Sequence, residues 1–260
     1  ITAFDPDIVH SHHPFLLGDS AVRISRLQGL PLVFTHHTLY EQYTHYVPLD
    51  SPALKNFVSD LATQYANICN HVIAPSSGVK DLIYQRGVKS PIAVLPTGID
   101  IDRFASGDGR QFRQRHDIAL DTPVIGHIGR LAHEKNLCYL AKAVARTART
   151  IPELKFLVAG TGDAQEDVVK IFSQHGVDDS LLMVGNMSGQ DLMDCYAAMD
   201  IFVFASQSET QGLVLAEAMA GSVPVVALSA TGVDDVLVND VNGTLLDSTA
   251  SEEEFSNALR

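Results

Sequence analysis

Long apolar runs, cysteines and basic residues are all scarce in this chain of 260 residues, and each scarcity excludes a class of function. No apolar stretch approaches the roughly 18 residues that a membrane-spanning helix requires, so no span is expected. Ile1 starts no signal peptide, and the chain reads as soluble and internal to something longer. Cys69, Cys138 and Cys195 lie far apart with no C-x-x-C pair. That fits reduced thiols in a cytosol better than a disulfide frame or a zinc site, and the three read as small buried hydrophobes. Lys and Arg number 18 against 31 Asp and Glu, a net charge of −13. Nucleic acid rewards a basic surface, so it is not an expected partner. The imbalance is uneven: residues 1–100 carry 6 basic and 8 acidic side chains, leaving 12 and 23 for the rest. Any contact with a membrane surface is therefore expected from the first part or from sequence outside these 260 residues.

What is present is a 46% hydrophobic composition, enough for a sizeable core, over a length that suggests two domains. Short apolar runs are predicted strands at 8–9, 32–34, 72–74, 92–95, 124–126, 156–158, 181–184, 201–204 and 223–226. Helical patterns fall between most of them, near 51–65, 77–85, 135–150, 164–175 and 190–198. Such alternation predicts an α/β protein with doubly wound parallel sheets. The punctuated stretch 96–109, Pro-Thr-Gly-Ile-Asp-Ile-Asp-Arg-Phe-Ala-Ser-Gly-Asp-Gly, marks the boundary between a domain of residues 1–98 and one of residues 99–260.

The most informative segment runs from Phe204 to Val226. Ser206 to Gln211 reads as a polar loop after a buried strand, and Gly212 to Ala220 as a short helix closed by Gly221. The start of that helix offers the backbone N–H groups of Gln211, Gly212 and Leu213 to an anion, and a phosphate suits them. Glu209 and Glu217 stand eight residues apart. On one helix that is about 12 Å of rise, too far to share one small substrate. Glu209 is therefore assigned to the loop, facing a sugar, and Glu217 to the helix, accepting from a ribose diol. The alternative, two solvated acids, is disfavoured by the apolar setting of Glu217 among Leu213, Leu215, Ala216, Ala218 and Ala220.

These residues resemble the E-x7-E signature of the retaining, GT-B-fold glycosyltransferases of family 4. Ser208-Glu-Thr-Gln-Gly-Leu213 is similar to the members that glucosylate diacylglycerol and related lipids. The resemblance covers nearly the whole chain. It implies two Rossmann-like domains facing a cleft, with residues 1–98 only the later part of the acceptor domain and residues 99–260 most of the nucleotide-sugar domain. The family's first strand, its Gly-rich loop and its returning C-terminal helix have no counterpart, so these 260 residues alone are expected to be inactive.

Gly129-Arg-Leu-Ala-His-Glu-Lys135 matches the family's G-R-L-x-x-E-K segment, which implies that Arg130 and Lys135 clamp the donor diphosphate. Cations placed where a leaving group gathers charge stabilise the transition state selectively. A basic pair at a helix start is otherwise unfavourable to the helix dipole. By the same resemblance His37, rather than His36, points at the donor sugar, the backbone of Gly185 to Met187 meets the base, and Thr210 to Val214 line the phosphate with Gly129. Gly160-Thr-Gly162 is assigned only a packing role.

The cluster His10, His12 and His13 lacks a companion ligand at metal spacing. Asp100-Ile-Asp102 imitates the D-x-D metal site of the GT-A fold, but it lies in the interdomain stretch; no metal and no cofactor beyond the donor, a UDP-hexose, is expected. Tyr40, Tyr43 and Tyr46 follow the histidine pair and suit a sugar platform, a membrane interface or plain loop packing. Similar tyrosine spacings in the lipid glucosyltransferases favour a lipid acceptor over a soluble carbohydrate, with the enzyme cytoplasmic at the inner face of the membrane. Two further readings stand beside this one: a non-hydrolysing nucleotide-sugar epimerase, and a non-catalytic sugar-nucleotide-binding module.

Overall fold

Among the described residues ten strands, all in parallel pairings, form two sheets. The structure, a computed structural model, describes residues 4–47 and 50–260, and Ile1 lies outside them. Two compact units divide the chain, Ile1–Thr97 and Gly98–Arg260.

The first unit holds a four-stranded sheet in the order β1 (Val9–Ser11), β2 (Leu32–Thr35), β3 (His71–Ala74) and β4 (Ile92–Val94). Its core gathers Phe34, Tyr65, Ala66, Val72, Ala74, Val79 and Ile83. The helix Pro52–Ile68 begins as its sequence predicts, with Ser51 accepting a hydrogen bond from the Leu54 N–H and proline in the first turn. The helix Leu17–Gln28 is an addition to the predicted set. Its buried residues are only Gly18, Ala21 and Ser25, too small to write a helical stripe.

The second unit holds six strands: β5 (Val124–Ile128), β6 (Lys155–Ala159), β7 (Leu181–Gly185), β8 (Ile201–Phe204), β9 (Val225–Leu228) and β10 (Thr244–Leu246). Their order is β10-β9-β8-β5-β6-β7. Alternate strand residues face opposite ways. Ile125, Phe156, Val158 and Val203 pack with Leu140, Val144, Phe172 and Phe255 on one face, while Val124, Leu157, Phe202 and Phe204 pack with Phe112, Tyr196 and Leu215 on the other.

Two of the boundaries that differ from the sequence reading have a local cause. The strand expected from Val223 pairs only from Val225, because the Val223 N–H is bonded to the Ala218 carbonyl and Pro224 has no N–H to give. The helix expected from Lys135 begins at Leu137. Lys135 instead ends a 3-10 turn, His133–Lys135, and Asn136 at φ 56° breaks the two apart. The helix Glu252–Ala258 is a further addition, started by a capping box between Ser251 and Glu254.

Candidate active site

In the six-stranded sheet the strand order reverses between β5 and β8, and in open α/β sheets the crevice beyond the carboxyl ends of the strands at such a point takes the ligand. The chain leaving β5 carries Gly129 to Lys135 and the chain leaving β8 carries Ala205 to Gly212. They meet in an ion pair: Lys135 Nζ donates to Glu209 Oε1 at 2.5 Å. Their side chains are only 17% and 18% exposed, so the pair is shielded from most solvent screening. Glu209 lies before the helix Leu213–Ala220, in the loop. Arg130, four residues before Glu134, pairs with that buried carboxylate.

Glycines shape the floor. Gly129, Gly160 and Gly185 succeed one another along the ends of β5, β6 and β7, with the Gly160 N–H donating to the Gly185 carbonyl at 2.7 Å. A Cβ on Gly160 would stand 1.8 Å from the Gly129 carbonyl oxygen, and one on Gly162 2.2 Å from that of Leu131, so both are there for close packing. A pocket of about 390 Å³ opens here, lined by Gly129, Arg130, Gly160, Thr161, Asn186 and Met187. A larger pocket, about 560 Å³, lies by Ala148, His175 and Ser180, toward the amino ends of β6 and β7. Position favours the smaller one, at the carboxyl ends.

Gly212, in the left-handed conformation at φ 65°, caps the helix Leu213–Ala220, whose first N–H groups have no acceptor within the helix. Gly232 presses against the backbone of Thr210 and Gln211 and allows this close approach. Further along the helix, Glu217 accepts from the Tyr196 hydroxyl at 2.7 Å. Burial raises the Glu217 carboxyl above its ordinary range, with the Tyr196 hydrogen bond and the Arg103 charge pulling it back.

His127, on β5, did not stand out in the sequence. It is 1% exposed, its ring lies nearly parallel to those of Phe202 and Phe204, and its Nδ1 donates to the Val203 carbonyl at 3.1 Å. A histidine amid the apolar run Val-Ile-Gly-His-Ile was the available signal.

In the first unit, the histidines collect at the carboxyl ends of β1 and β2. His10 Nε2 meets Thr35 Oγ1 at 2.7 Å, and His12 Nδ1 and His37 Nε2 share a hydrogen bond of 2.9 Å. His37 is exposed, whereas His36 is 3% exposed and its Nδ1 has no partner. Tyr40 is buried, and Tyr43 and Tyr46 stack in the 3-10 helix Tyr40–Tyr46. Asp100 caps the helix Ile101–Phe104 by accepting from the Arg103 N–H. Among the described residues no group of three or more His, Cys, Asp or Glu is arranged to hold a metal ion.

Burial lowers both His36 and His127 from 6.5 to about 4. Each depressed value contributes stability that is complete above about pH 6.5 and is lost as pH falls through about 4, where the unfolded chain takes protons that the folded one refuses. Stability to urea is expected to fall across that window, and His127→Phe to flatten the fall in the second unit; an unchanged profile would contradict the burial assigned to His127.

The chain matches two family models, Glycosyl transferases group 1 over residues 108–260 and Glycosyltransferase Family 4 over residues 1–103. It is 29% identical to an alpha-monoglucosyldiacylglycerol synthase of Streptococcus pneumoniae, over 92% of this chain and 55% of that protein. A GDP-mannose-dependent alpha-mannosyltransferase of Mycobacterium tuberculosis is 26% identical over 100% of this chain and 65% of its own. The chain thus spans about half to two thirds of the length of these relatives. Among solved structures, Anabaena HepE in complex with UDP-glucose superposes with a TM-score of 0.78 and 25% identity, over 99% of this chain and 69% of that one. The sucrose-phosphate synthase of Thermosynechococcus elongatus does so with a TM-score of 0.79 and 20% identity, over 99% and 64%. The two parallel-sheet units are of the GT-B class.

Proposed function

We propose that this chain, which belongs to the group 1 glycosyl transferases, moves a hexose from a UDP-sugar to the hydroxyl of a membrane lipid such as diacylglycerol, with retention of configuration. The carrying observation is the Lys135–Glu209 pair across the β5/β8 reversal, beside the glycine-floored pocket. Residues 99–260 take the donor and residues 1–98 contribute to the acceptor side.

Arg130 and Lys135 receive the diphosphate with the amides around Gly212, Thr210 to Val214 line it, and Gly185 to Met187 face the base. Glu217, with one oxygen held by Tyr196, turns the other to the ribose diol. Glu209 supports the sugar ring, and His37, exposed at the end of β2, contacts its hydroxyls. As the bond between the anomeric carbon and the phosphate oxygen breaks, charge grows on the leaving diphosphate where the cations stand. The acceptor oxygen bonds to that carbon from the same face and passes its proton to a phosphate oxygen. No covalent carboxylate intermediate and no metal are required.

A lipid acceptor is supported by the relatives named alpha-monoglucosyldiacylglycerol synthase and by apolar exposure in the first unit. Tyr46 and Val47, and Phe57, Leu61 and Ile68 on the helix Pro52–Ile68, are all exposed, a surface suited to peripheral membrane contact. No helix among the described residues is long and apolar enough to cross a membrane.

Calorimetry with UDP-, GDP- and ADP-sugars tests the donor, with UDP-sugars expected to bind. Product analysis with diacylglycerol and the intact enzyme, in the presence of excess EDTA, tests the rest. A preference for a GDP-sugar, a soluble product, or full loss of turnover in EDTA would each overturn its part.

A further inference from the structure

His127 Nε2 is a buried polar atom with no hydrogen-bond partner, inside the strand that leads to Gly129. The ring's chemistry is fixed by its other nitrogen. The Val203 carbonyl can only accept, so Nδ1 carries the hydrogen and Nε2 is bare. Burial holds the ring neutral at ordinary pH, its pKa lowered to about 4. A buried acceptor left empty is costly, so a donor that visits it is stabilised there.

The surroundings point to one donor. Nε2 is closed to solvent in the unliganded protein, so the groups packed around it are the ones to weigh. The nearby Gly129 N–H is spent on the Ala159 carbonyl. A Cβ on Gly129 would sit 3.5 Å from Nε2, so the glycine keeps the space before that nitrogen narrow and free of side chain. Of the charged groups, Lys135 and Glu209 act on the ring, and of those two only Lys135 has hydrogens to give. An ammonium carries three, and Glu209 Oε1 engages it from one side.

We propose that His127 is a positioning residue for Lys135: when Glu209 turns to the sugar, Nε2 accepts a Lys135 ammonium hydrogen and keeps the cation seated at the end of β5. The neutral ring does this without adding a positive charge that would repel the lysine, and packing beside Phe202 and Phe204 holds it in place. Glu209 thereby becomes free to change partners while Lys135 stays put. Only the UDP-glucose arm of the test below rests on the donor reading.

Long-range proton–nitrogen NMR of the histidine rings reads Nε2 directly. In the unliganded protein its nitrogen is expected in the range of a bare imidazole nitrogen. Glu209→Leu, which removes the acceptor that holds Lys135, is expected to shift it upfield into the hydrogen-bonded range with no ligand added. Lys135→Met in the same background should return it to the bare range. UDP-glucose added to the wild-type protein should reproduce the Glu209→Leu shift. An unshifted nitrogen in Glu209→Leu overturns the proposal. So does a shift that survives Lys135→Met, which would make a buried water the donor. If UDP-glucose perturbs no resonance of the second unit, the donor reading fails while the Glu209→Leu comparison still decides the role of His127.

Discussion

Lys135→Ala is expected to slow turnover of the intact enzyme by about 2 to 4 kcal/mol of activation free energy, roughly 30- to 1,000-fold, the scale of one lost preorganised electrostatic contact. Glu209→Ala is expected to cost a similar amount, for a different reason. The two side chains form a half-buried pair in the unliganded site, so each holds the other where a substrate group will later stand. A diphosphate arriving at Lys135 competes with Glu209, and an incoming sugar hydroxyl gives Glu209 another partner. Removing the lysine therefore weakens UDP itself as well as the transition state. Removing the glutamate leaves Lys135 without a competitor, so UDP should bind as well as before or more tightly while transfer still collapses. This opposite movement of UDP affinity separates the two roles, and a double-mutant cycle should be strongly non-additive. Near-normal turnover in either variant, or equal losses of UDP affinity in both, would remove the assignment.

How far the sequence carries to this site depends on the distance over which its signals act. The buried strands were legible because a parallel strand covered on both faces is apolar throughout, as Ile201-Phe-Val-Phe and Phe156-Leu-Val show. Glu209 could be assigned to a loop from spacing alone. Its partner could not: Lys135 is 74 residues away, and only the reversal of strand order at β5 and β8 joins them. The extended helix start at Lys135 was misread because Asn136, able to adopt the left-handed conformation, breaks a continuous apolar period. The helix Glu252–Ala258 has a local start signal in Ser251 and Glu254, the two residues of its capping box, but its first turn is all acid, Glu252 to Glu254, and shows no apolar period. His127 was hidden for the reverse reason. A single histidine in an apolar run says nothing of whether its nitrogens are paired, which only the packed strand and its neighbour Val203 reveal.

Arg113→Met is expected to destabilise the second unit by about 3 kcal/mol. Arg113 lies on the short helix Gly109–Arg115. Its side chain is 9% exposed and its guanidinium ties five acceptors. Nε donates to the Ala198 carbonyl at 3.0 Å, and Nη1 to the carbonyls of Leu120 at 3.0 Å and Thr122 at 2.9 Å, with Ala119 at 3.4 Å. Nη2 reaches Asp200 Oδ2 at 2.9 Å, an oxygen that also accepts the Val124 N–H at 2.7 Å. One side chain thus fastens the loop before β5 to the turn before β8, the two strands that carry Lys135 and Glu209. Asp200 is 56% exposed, so water compensates its lost charge partner and the ion pair itself contributes little. The cost comes from the carbonyls, each left short of a charged donor, where such bonds contribute about 1.5–3 kcal/mol before relaxation. Asp200→Asn should accordingly cost about 1 kcal/mol, well below Arg113→Met, and Arg113→Lys should fall between them because a compact ammonium cannot span the same acceptors. Urea unfolding of the three variants gives the order. An Asp200→Asn loss equal to that of Arg113→Met would mean that the ion pair, rather than the carbonyl clamp, joins the ends of β5 and β8.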